Sequence, residues 1–560
     1  MTDKKYPIND LSHPVTYKWV NDFDYDWNTK SNQQDWVLPK VLKEQADKIP
    51  DKAFLQFSYD DPLTFAEVNK AANQIANSLR ELGVEKGDKV SVLMDSSPQY
   101  LDVWFAISKV GAVEVPVNTA YKGEILKHIL ESSDTKYIIF DNKYLEEIIE
   151  ISGYFENNIK YIINDIDKNH KEYPVKLDNL YLDNSDDLNL DLKYTDTACL
   201  LYTSGTTGVS KGVIMNNHFL WSFGVNVAQI TKIINTDVSY NYLPFFHIAG
   251  KFLLMASLLV DAKNVVIPQL SISKFWDDIN KYNATLMVAA GGVCNMLYSQ
   301  PPSKNDINNS LKLIYAVPIP TEFANNFENR FGVKFIEAYG STELNVVACS
   351  EPGKTPPKSF GKPLNDYEMS VFDEFDQPCS PGTPGEIVVR PKKPYIMMEG
   401  YYGLADKTLT VMRNLWFHSG DQGYVDEEGW FYFLDRLTDS MRRRGENISS
   451  FEVEKLVNEH DSISECAAIG VKSDMQEDEV KIVVVKNKDI KLTEEELLYY
   501  CVKKMPYFMV PRYIEFKEEL PRTALTKVKK VELRKEGVTL NTWDCEANGI
   551  RVTRNGVKKI

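Results

Sequence analysis

Cysteine is sparse in this chain and never forms a C-x-x-C pair: seven copies stand at 199, 294, 349, 379, 466, 501 and 545 of 560 residues. That scatter gives no zinc site and no disulfide framework, and it fits reduced thiols in a cytoplasmic protein. Long hydrophobic runs are missing as well. The most apolar stretch, 252–260, is stopped by Asp261 after nine residues. A membrane span needs ~20, so no transmembrane segment is expected. The opening M-T-D-K-K-Y-P-I-N-D contains no apolar leader. Positive charge is in deficit. The net charge is −16, which argues against nucleic acid as a partner, because a phosphate backbone requires a basic surface. No repeat of fixed period occurs. A hydrophobic fraction of 43% with 26% charged residues describes a folded chain of roughly two to four structural units.

What is present is a distinctive loop. Residues 202–212 read Y-T-S-G-T-T-G-V-S-K-G, directly after the apolar run A-C-L-L-Y at 198–202, which has the character of a buried strand. Glycines let the backbone approach a ligand and turn its N–H groups inward; hydroxyls donate to phosphate oxygens, and a lysine offsets their charge. Thr203, Ser204, Gly205, Thr206, Thr207, Gly208 and Lys211 are therefore candidate polyphosphate ligands. A plain surface turn would seldom gather this set against a core strand. The loop is not a Walker motif, which has Gly before its lysine and Ser or Thr after it. Here Ser210 precedes Lys211 and Gly212 follows.

Around the loop, helical and strand periods alternate. Thr64 and Glu67 form a capping box for a helix carrying Val68, Ala72, Ile75, Leu79 and Leu82, stopped by Gly83. A strand at 90–94, a helix entered at Ser97-Pro98 and left at Gly111, and a strand at 112–117 follow. A helix at 124–132 leads to a strand at 137–140. Beyond the loop come a helix at 275–282, a strand at 285–289 and a helix at 321–331. This alternation predicts parallel βαβ units. The polar stretch 142–196 is expected to be peripheral, and 361–433 reads as a small β-unit. After Asp435-Arg436 the texture changes again, to helices at 452–459 and 494–504 and strands at 466–471 and 480–485. We place a boundary near 437–439. The predicted fold is α/β: an N-terminal domain, 1–436, of parallel βαβ units with a small β-unit, then a small α+β domain, 437–560.

Four further segments carry suitable chemistry. In Tyr339-Gly340-Ser341-Thr342-Glu343 an aromatic ring suits a base, a hydroxyl suits a phosphate and a carboxylate suits Mg²⁺; taken alone, it reads first as a strand-end turn with a solvated Glu. Ser419-Gly420-Asp421 presents a carboxylate suited to two ribose hydroxyls. Arg436 suits ribose or phosphate, or a structural ion pair. Lys527 closes the polar loop P-R-T-A-L-T-K.

In this order the motifs resemble those of the acyl-adenylate-forming (AMP-binding) superfamily, which includes acyl-CoA synthetases, luciferases and peptide-synthetase adenylation domains. The resemblance runs from about residue 37 to the end. The segments R-R-G-E-N-I-S-S, E-G-Y-Y-G and T-W-D-C-E-A-N-G-I are most similar to carnitine/crotonobetaine–CoA ligases and related fatty acyl-CoA synthetases. The resemblance implies ATP, Mg²⁺ and coenzyme A as cofactors and a small-molecule carboxylic acid as substrate. The acid attacks the α-phosphate, pyrophosphate leaves, the smaller domain rotates, and coenzyme A then takes the acyl group. The loop residues would cradle pyrophosphate, and Glu343 with Thr206 would hold the metal. Thr342 would meet the α-phosphate, Tyr339 and Gly340 the adenine, Asp421 the ribose and Arg436 the ribose–phosphate side. Gly445 lies in the thiolation segment, Lys527 is the implied catalytic cation, and His247 is a gate or carboxylate-side residue. Three positions depart from the pattern: Thr526 replaces a usual Gly, Thr438 stands at the hinge, and Tyr315-Ala316-Val317-Pro318 replaces G-G-A-P.

The segment L-P-F-F-H-I-A-G at 243–250 has no aspartate, which favours an acid without an α-amino group; Phe245 and Phe246 serve the acyl pocket or the core equally well. Trp221 and Phe223 are candidates for a cage around a quaternary ammonium. Arg442, Arg443 and Arg444 read as a solvated basic face before coenzyme A ligands. Asp461-Ser462-Ile463 imitates a carrier attachment site, but an apolar strand follows it. The expected activity is a carnitine/crotonobetaine-type acyl-CoA ligase. The alternatives are a medium- or long-chain fatty acyl-CoA synthetase, an enzyme loading a separate carrier protein, and a non-catalytic nucleotide-binding homologue. A homodimer is left open.

Overall fold

The computed structural model describes residues 36–560 apart from 59, 156–157, 165–174, 204–208, 304–305, 320–322, 437–439, 474–476, 488–490 and 522–527. Two seven-stranded sheets of one design dominate the N-terminal part. One runs Val175–Lys176, Lys160–Asn164, Thr135–Asp141, Lys89–Leu93, Val113–Pro116, Thr197–Thr203, Lys211–Asn216. The other runs Lys334–Ile336, Leu313–Val317, Leu286–Ala290, Val238–Asn241, Lys263–Val266, Ala53–Phe57, Leu63–Thr64. Each is parallel except for a final antiparallel edge strand. Parallel strands need covered faces. Gly123–Ser132 and Leu145–Ser152 cover the outer face of the first sheet, and Phe275–Tyr282, Gly291–Tyr298 and Ala324–Phe331 that of the second. Four helices lie on the inner faces: Phe65–Glu81, Pro98–Val110, Asn217–Thr231 and Ile248–Val260. Their side chains and both sheets share one core.

The local signals work as their chemistry dictates. Thr64 Oγ1 accepts from Glu67 N at 3.2 Å while Glu67 Oε2 accepts from Thr64 N at 2.8 Å, closing the capping box. Ser97 caps the helix Pro98–Val110, and Gly111, at φ 75°, ends it. The 142–196 stretch is only partly peripheral: Leu177 and Leu180 are buried, and carbonyls of residues 180–186 accept from Asn73, Gln74, Asn77 and Ser78. Among the described residues no helix is long and apolar enough to cross a membrane.

The β-unit is larger than its sequence suggests. It is an eight-stranded antiparallel sheet reaching from Ala338–Ser341 to Phe431–Arg436. Its strand Asn345–Cys349 is buried at all five positions, so the alternation that marks a half-exposed strand is missing. Residues 334–341 hold two strands: Lys334–Ile336 joins the parallel sheet, and Ala338–Ser341 starts the antiparallel one. The C-terminal part has a four-stranded mixed sheet, Ile463–Lys472, Asp478–Lys486, Tyr513–Lys517 and Trp543–Asp544, with helices Ser450–Asn458 and Glu494–Lys504. The strand Ile463–Lys472 begins at once after Asp461-Ser462, so the carrier imitation is a strand entry. Residues 437–439, where we place the boundary, lie outside the described residues.

Trp221 is in the core rather than a cage. It stacks on Trp36 at 4.7 Å, and Trp36 stacks on His218 at 4.4 Å. Phe223 stacks on Phe252 at 5.4 Å, and Phe252 on Tyr315 at 6.1 Å. Deeper still, Lys251 Nζ bonds both Glu114 oxygens, at 2.7 and 2.6 Å, and Tyr100 OH donates to Glu114 at 2.9 Å. Lys251 is 2% exposed and Glu114 0%.

Removing one partner of such a pair leaves an uncompensated charge in low dielectric. Lys251→Met should lower the unfolding free energy of the N-terminal part by about 3–5 kcal/mol in denaturant titrations, and adding Glu114→Gln should recover at least half of it. Burial holds His218 down to about 4, chiefly through lost hydration, with Lys393 adding to it. The native state keeps this ring neutral while the unfolded chain protonates it below about 6.5, so its contribution is intact above that pH and lost as pH falls toward 4. His218→Phe should therefore lessen the acid-side fall in thermal stability over that window by up to roughly 3 kcal/mol.

Candidate functional site

The loop at 202–212 is a β-hairpin connection. Thr197–Thr203 pairs antiparallel with Lys211–Asn216, bringing Thr203 opposite Lys211. A Walker loop opens into a helix; this one returns along its own sheet, in keeping with its different Gly and Ser positions. Ser204, Gly205, Thr206, Thr207 and Gly208 lie outside the described residues. Both ends of the loop are described, and the structure shows what meets them.

Glu343 comes to the mouth of the hairpin. Its Oε1 accepts from Tyr401 OH at 3.0 Å and, in a longer contact, from Thr203 Oγ1 at 3.4 Å. Lys211 Nζ lies over the Tyr401 ring, 4.5 Å from its centroid. Burial lowers the Lys211 pKa, and the nearby Glu343 charge works against that fall. The Tyr401 hydroxyl is pushed up by burial and by the same carboxylate. Residues 399–402 run along the outer edge of Lys211–Asn216, with Ile214 N donating to Gly400 O and Tyr402 N to Gly212 O. Tyr401 thus joins the site, although the sequence offered only its place in E-G-Y-Y-G.

Tyr339 and Asp421 form a second pair. Tyr339 OH donates to Asp421 Oδ2 at 2.7 Å, and the Tyr339 ring stacks on Phe360 at 4.6 Å. Gly340 has no room for a side chain: a Cβ there would stand 2.1 Å from Asn345 O. Thr342 sits half-buried in the turn before Glu343. Gly420 takes φ 72°, and Ser419 Oγ accepts from Asp421 N at 3.1 Å, so S-G-D is a kink that aims the carboxylate. Arg436 pairs with Asp421 in backbone register, and its side chain lies outside the described residues. Lys527 lies outside them too.

Glu337, one residue before the strand Ala338–Ser341, is a half-buried acid that sequence reasoning missed. Loss of hydration pushes its carboxyl up to about 8, against a backbone N–H from Ile319. A single Glu in a strand-rich stretch carries no signal of that burial.

His247 caps a helix. Its Nδ1 accepts from Ala249 N at 3.1 Å at the start of Ile248–Val260, which leaves Nε2 as the protonated nitrogen of the neutral ring. Burial and the charge of Arg442 hold it down to about 4. Phe245 is fully buried against Tyr100 at 5.4 Å, and Phe246 is half-buried.

The smaller part closes over this face. The hairpin Ser440–Arg443 with Glu446–Ser449 turns at Arg444 and Gly445, with φ 54° and 80°, the double positive φ of a type I′ turn. Just past the turn, Glu446 Oε1 accepts from Asn118 at 3.3 Å; burial pushes its carboxyl up to about 7. Lys122 Nζ donates to Val502 O at 2.7 Å, and Arg554 bonds Asp95 at 3.0 Å and Thr119 at 3.2 Å. Glu452 Oε1 accepts from Ser210 N at 2.9 Å and Ser210 Oγ at 2.7 Å. The three arginines are not one solvated face. Arg443 is buried, bonding Glu479 and the carbonyls of Phe508 and Val510, while Arg444 is exposed.

Comparison with known proteins agrees with this arrangement. Residues 42–402 match the family model described as AMP-binding enzyme, and 452–527 match the AMP-binding enzyme C-terminal domain. A crotonobetaine/carnitine–CoA ligase of Salmonella arizonae is 31% identical over 479 residues, 84% of this chain and 93% of that protein. The enzyme of the same name from Escherichia coli O9:H4 is 30% identical over 485 residues, with the same coverage. Among solved structures, o-succinylbenzoate CoA synthetase from Bacillus subtilis superposes with TM-score 0.78 at 24% identity, over 90% of this chain and 99% of that one. The amide bond synthetase McbA from Marinactinospora thermotolerans gives 0.77 at 20% identity, over 88% and 99%. These two show a shared fold. The family models and the ligase relatives carry the assignment: this chain belongs to the adenylate-forming acyl-CoA ligase family of AMP-binding enzymes.

Proposed function

We propose that this protein couples ATP cleavage to thioester formation on a carboxylic acid of the carnitine/crotonobetaine class, with 1–436 binding ATP and acid and 437–560 supplying Lys527. The observation that carries the reading is the meeting of Thr203, Lys211 and Glu343 at the mouth of one hairpin, a hydroxyl, a cation and a carboxylate where a polyphosphate would lie. Thr203, Ser204, Gly205, Thr206, Thr207, Gly208 and Lys211 hold the departing pyrophosphate. Among the described residues no three His, Cys, Asp or Glu side chains gather into a metal cage. Mg²⁺ bound mainly through substrate phosphates needs only one or two protein oxygens, which Glu343 and Thr206 provide, and it supplies neutralisation of phosphate charge.

Tyr339 and Gly340 face the adenine, Asp421 and Arg436 the ribose side, and Thr342 the α-phosphate. Lys527 stabilises the charge that builds between carboxylate and α-phosphate, a step needing position and electrostatics more than a protein nucleophile. Gly445 opens the approach of the coenzyme A thiol, and neutral His247 stands on the carboxylate side. The named relatives support the carnitine/crotonobetaine class. The stacked Phe223, Phe252 and Tyr315 favour a second reading, a fatty acyl chain against an apolar wall. Seven unpaired thiols suit a reducing cytoplasm.

The test is AMP release, with and without coenzyme A, from crotonobetaine, carnitine, straight-chain fatty acids and an α-amino acid. Coenzyme A-dependent AMP from the betaine acids is expected. AMP from fatty acids alone moves the assignment to the second reading, and AMP from none of them refutes the ligase. Lys527→Ala should reduce pyrophosphate exchange into ATP by at least about a hundredfold, while thioester formation from supplied acyl-adenylate survives; an unchanged exchange rate removes Lys527 from the chemistry.

A further inference from the structure

The Ser419-Gly420-Asp421 segment breaks the regularity of the strand that carries it. Gly385–Pro391 pairs antiparallel with Trp416–Val425, but Glu386 faces Gln422 while Val388 faces His418, so residues 386–388 stand opposite residues 418–422. The extra residues form a bulge around Gly420, at φ 72°. A bulge takes backbone groups out of the ladder, and a buried N–H left without an acceptor is costly. Side chains meet that demand here. Ser419 Oγ accepts from Asp421 N at 3.1 Å and donates to Ile387 O at 2.6 Å. Glu386, on the facing strand, accepts from Gly420 N at 3.0 Å through Oε1.

Glu386 has a second partner that fixes it. Its Oε2 lies 2.7 Å from Nδ1 of His418, the residue directly before the bulge, which is 4% exposed. Arg413 is 2.9 Å from the same nitrogen. A guanidinium only donates and a carboxylate only accepts, so Nδ1 can serve one of them. A bare Nδ1 would set its lone pair against a carboxylate oxygen at 2.7 Å, whereas Arg413 has other acceptors, Asp376 and the Thr410 carbonyl, each at 3.3 Å. The ring therefore carries a proton on Nδ1 and donates it to Glu386. Asp376 stands 4.0 Å from Nε2, Arg413 3.7 Å from the Glu386 carboxylate, and the Phe372 ring meets the imidazole edge-on. Both oxygens of Glu386 are thus committed, one to the bulge and one to a histidine held by its packing.

We propose that His418 is a positioning residue for nucleotide recognition: acting through Glu386, it sets the bulge that points the Asp421 carboxylate at Tyr339 and at a ribose. The proposal rests on the reading of Asp421 as the ribose carboxylate given above, and it adds the groups that aim this carboxylate. Two ribose hydroxyls can share one carboxylate only while its plane and position are held, because hydrogen bonds weaken steeply with misalignment. Without the Nδ1 donor, Glu386 turns away and Gly420 N–H loses its acceptor. The bulge then relaxes toward a regular ladder, in which successive side chains change face. The loss falls on the ribose hydroxyls and spares contacts to adenine and phosphate.

The test compares AMP with 2′-deoxy-AMP and 3′-deoxy-AMP on the full-length protein by calorimetry, which needs no knowledge of the acid. The parent should bind AMP at least about tenfold more tightly than either analogue, the size of one hydrogen bond to a charged group. Asp421→Ala, the reference for lost ribose recognition, should cut this preference to less than about threefold. His418→Leu and Glu386→Ala should do the same, although neither alters Asp421. Glu386→Asp, which keeps the charge but is too short to reach both partners, should also lose it, and it covers the case in which the other two do not fold. His418→Asn keeps an N–H where Nδ1–H stood. Glu386→Gln keeps the acceptor for Gly420 N and turns its amino group to the other tautomer of the ring. Both should retain a preference above about fivefold. A purely structural role would weaken AMP and both analogues by one common factor and leave the ratio where it was.

A preference that survives His418→Leu or Glu386→Asp while Asp421→Ala abolishes it overturns the proposal and leaves the ribose reading of Asp421 standing. Failure of both His418→Asn and Glu386→Gln to retain it overturns the proposal too. A parent that binds AMP and its deoxy analogues alike sinks the ribose reading and the proposal together. The full pattern in a protein that releases AMP from no acid supports the proposal and sinks the ligase reading alone.

Discussion

A lysine withdrawn from water beside a carboxylate is the constraint on which the site depends. Lys211 lies over the Tyr401 ring, burial disfavours its charge, and Glu343 works to restore it. Such an arrangement holds only if the backbone around it is rigid. The strand Lys211–Asn216 is accordingly fixed on both edges, by Thr197–Thr203 on one side and residues 399–402 on the other. An anion entering the loop supplies charge that suits the lysine better than water does at this depth. The lysine is thus held by geometry in an unfavourable resting electrostatic state.

The closure of the smaller part has a different character. Its polar contacts with the larger part join Asn118 with Glu446, Lys122 with Val502, and Arg554 with Asp95 and Thr119. Arg554 with Asp95 is the exposed ion pair of this set, and such a pair contributes little. An apolar cluster also holds buried residues of both parts, with Leu93, Ile125 and Phe140 from the larger and Ile448, Val453 and Leu456 from the smaller. Ser210 with Glu452 is buried and lies at the hairpin strand Lys211–Asn216.

Much of this organisation was legible before any coordinates. The capping box at Thr64 and Glu67, the Pro98 entry and the Gly111 exit are local hydrogen-bonding and φ preferences, and each acts within a single turn. The alternation of strand and helix around Lys89–Leu93 and Val113–Pro116 reflects buried parallel strands, whose near-continuous apolar runs survive in any window of sequence. Less visible was the true extent of the antiparallel sheet. Its strand Asn345–Cys349 is buried on both faces, and Ala338–Ser341 separates from Lys334–Ile336 only because it changes sheet. Trp221 looked like a cage residue because tryptophan suits cations; its stacking partner Trp36 lies far away in sequence.

What the sequence determined by itself is the ordered series of motifs, since glycines, hydroxyls, a lysine and carboxylates at fixed spacing are a matter of local chemistry. That was enough for the α/β class and for proposing Thr203, Lys211, Tyr339, Glu343 and Asp421 as one functional set. Tertiary structure alone decided which of these touch: Tyr339 with Asp421, Thr203 with Glu343, and Tyr401 with both Glu343 and Lys211. It alone also revealed His218 and Glu452 as buried titratable groups, and the half-buried Glu337 as an acid short of hydration. The reason is physical. Burial and partnership are created when distant segments pack, and a side chain's hydration, unlike its hydrogen-bonding type, is not a property of its neighbours in the chain.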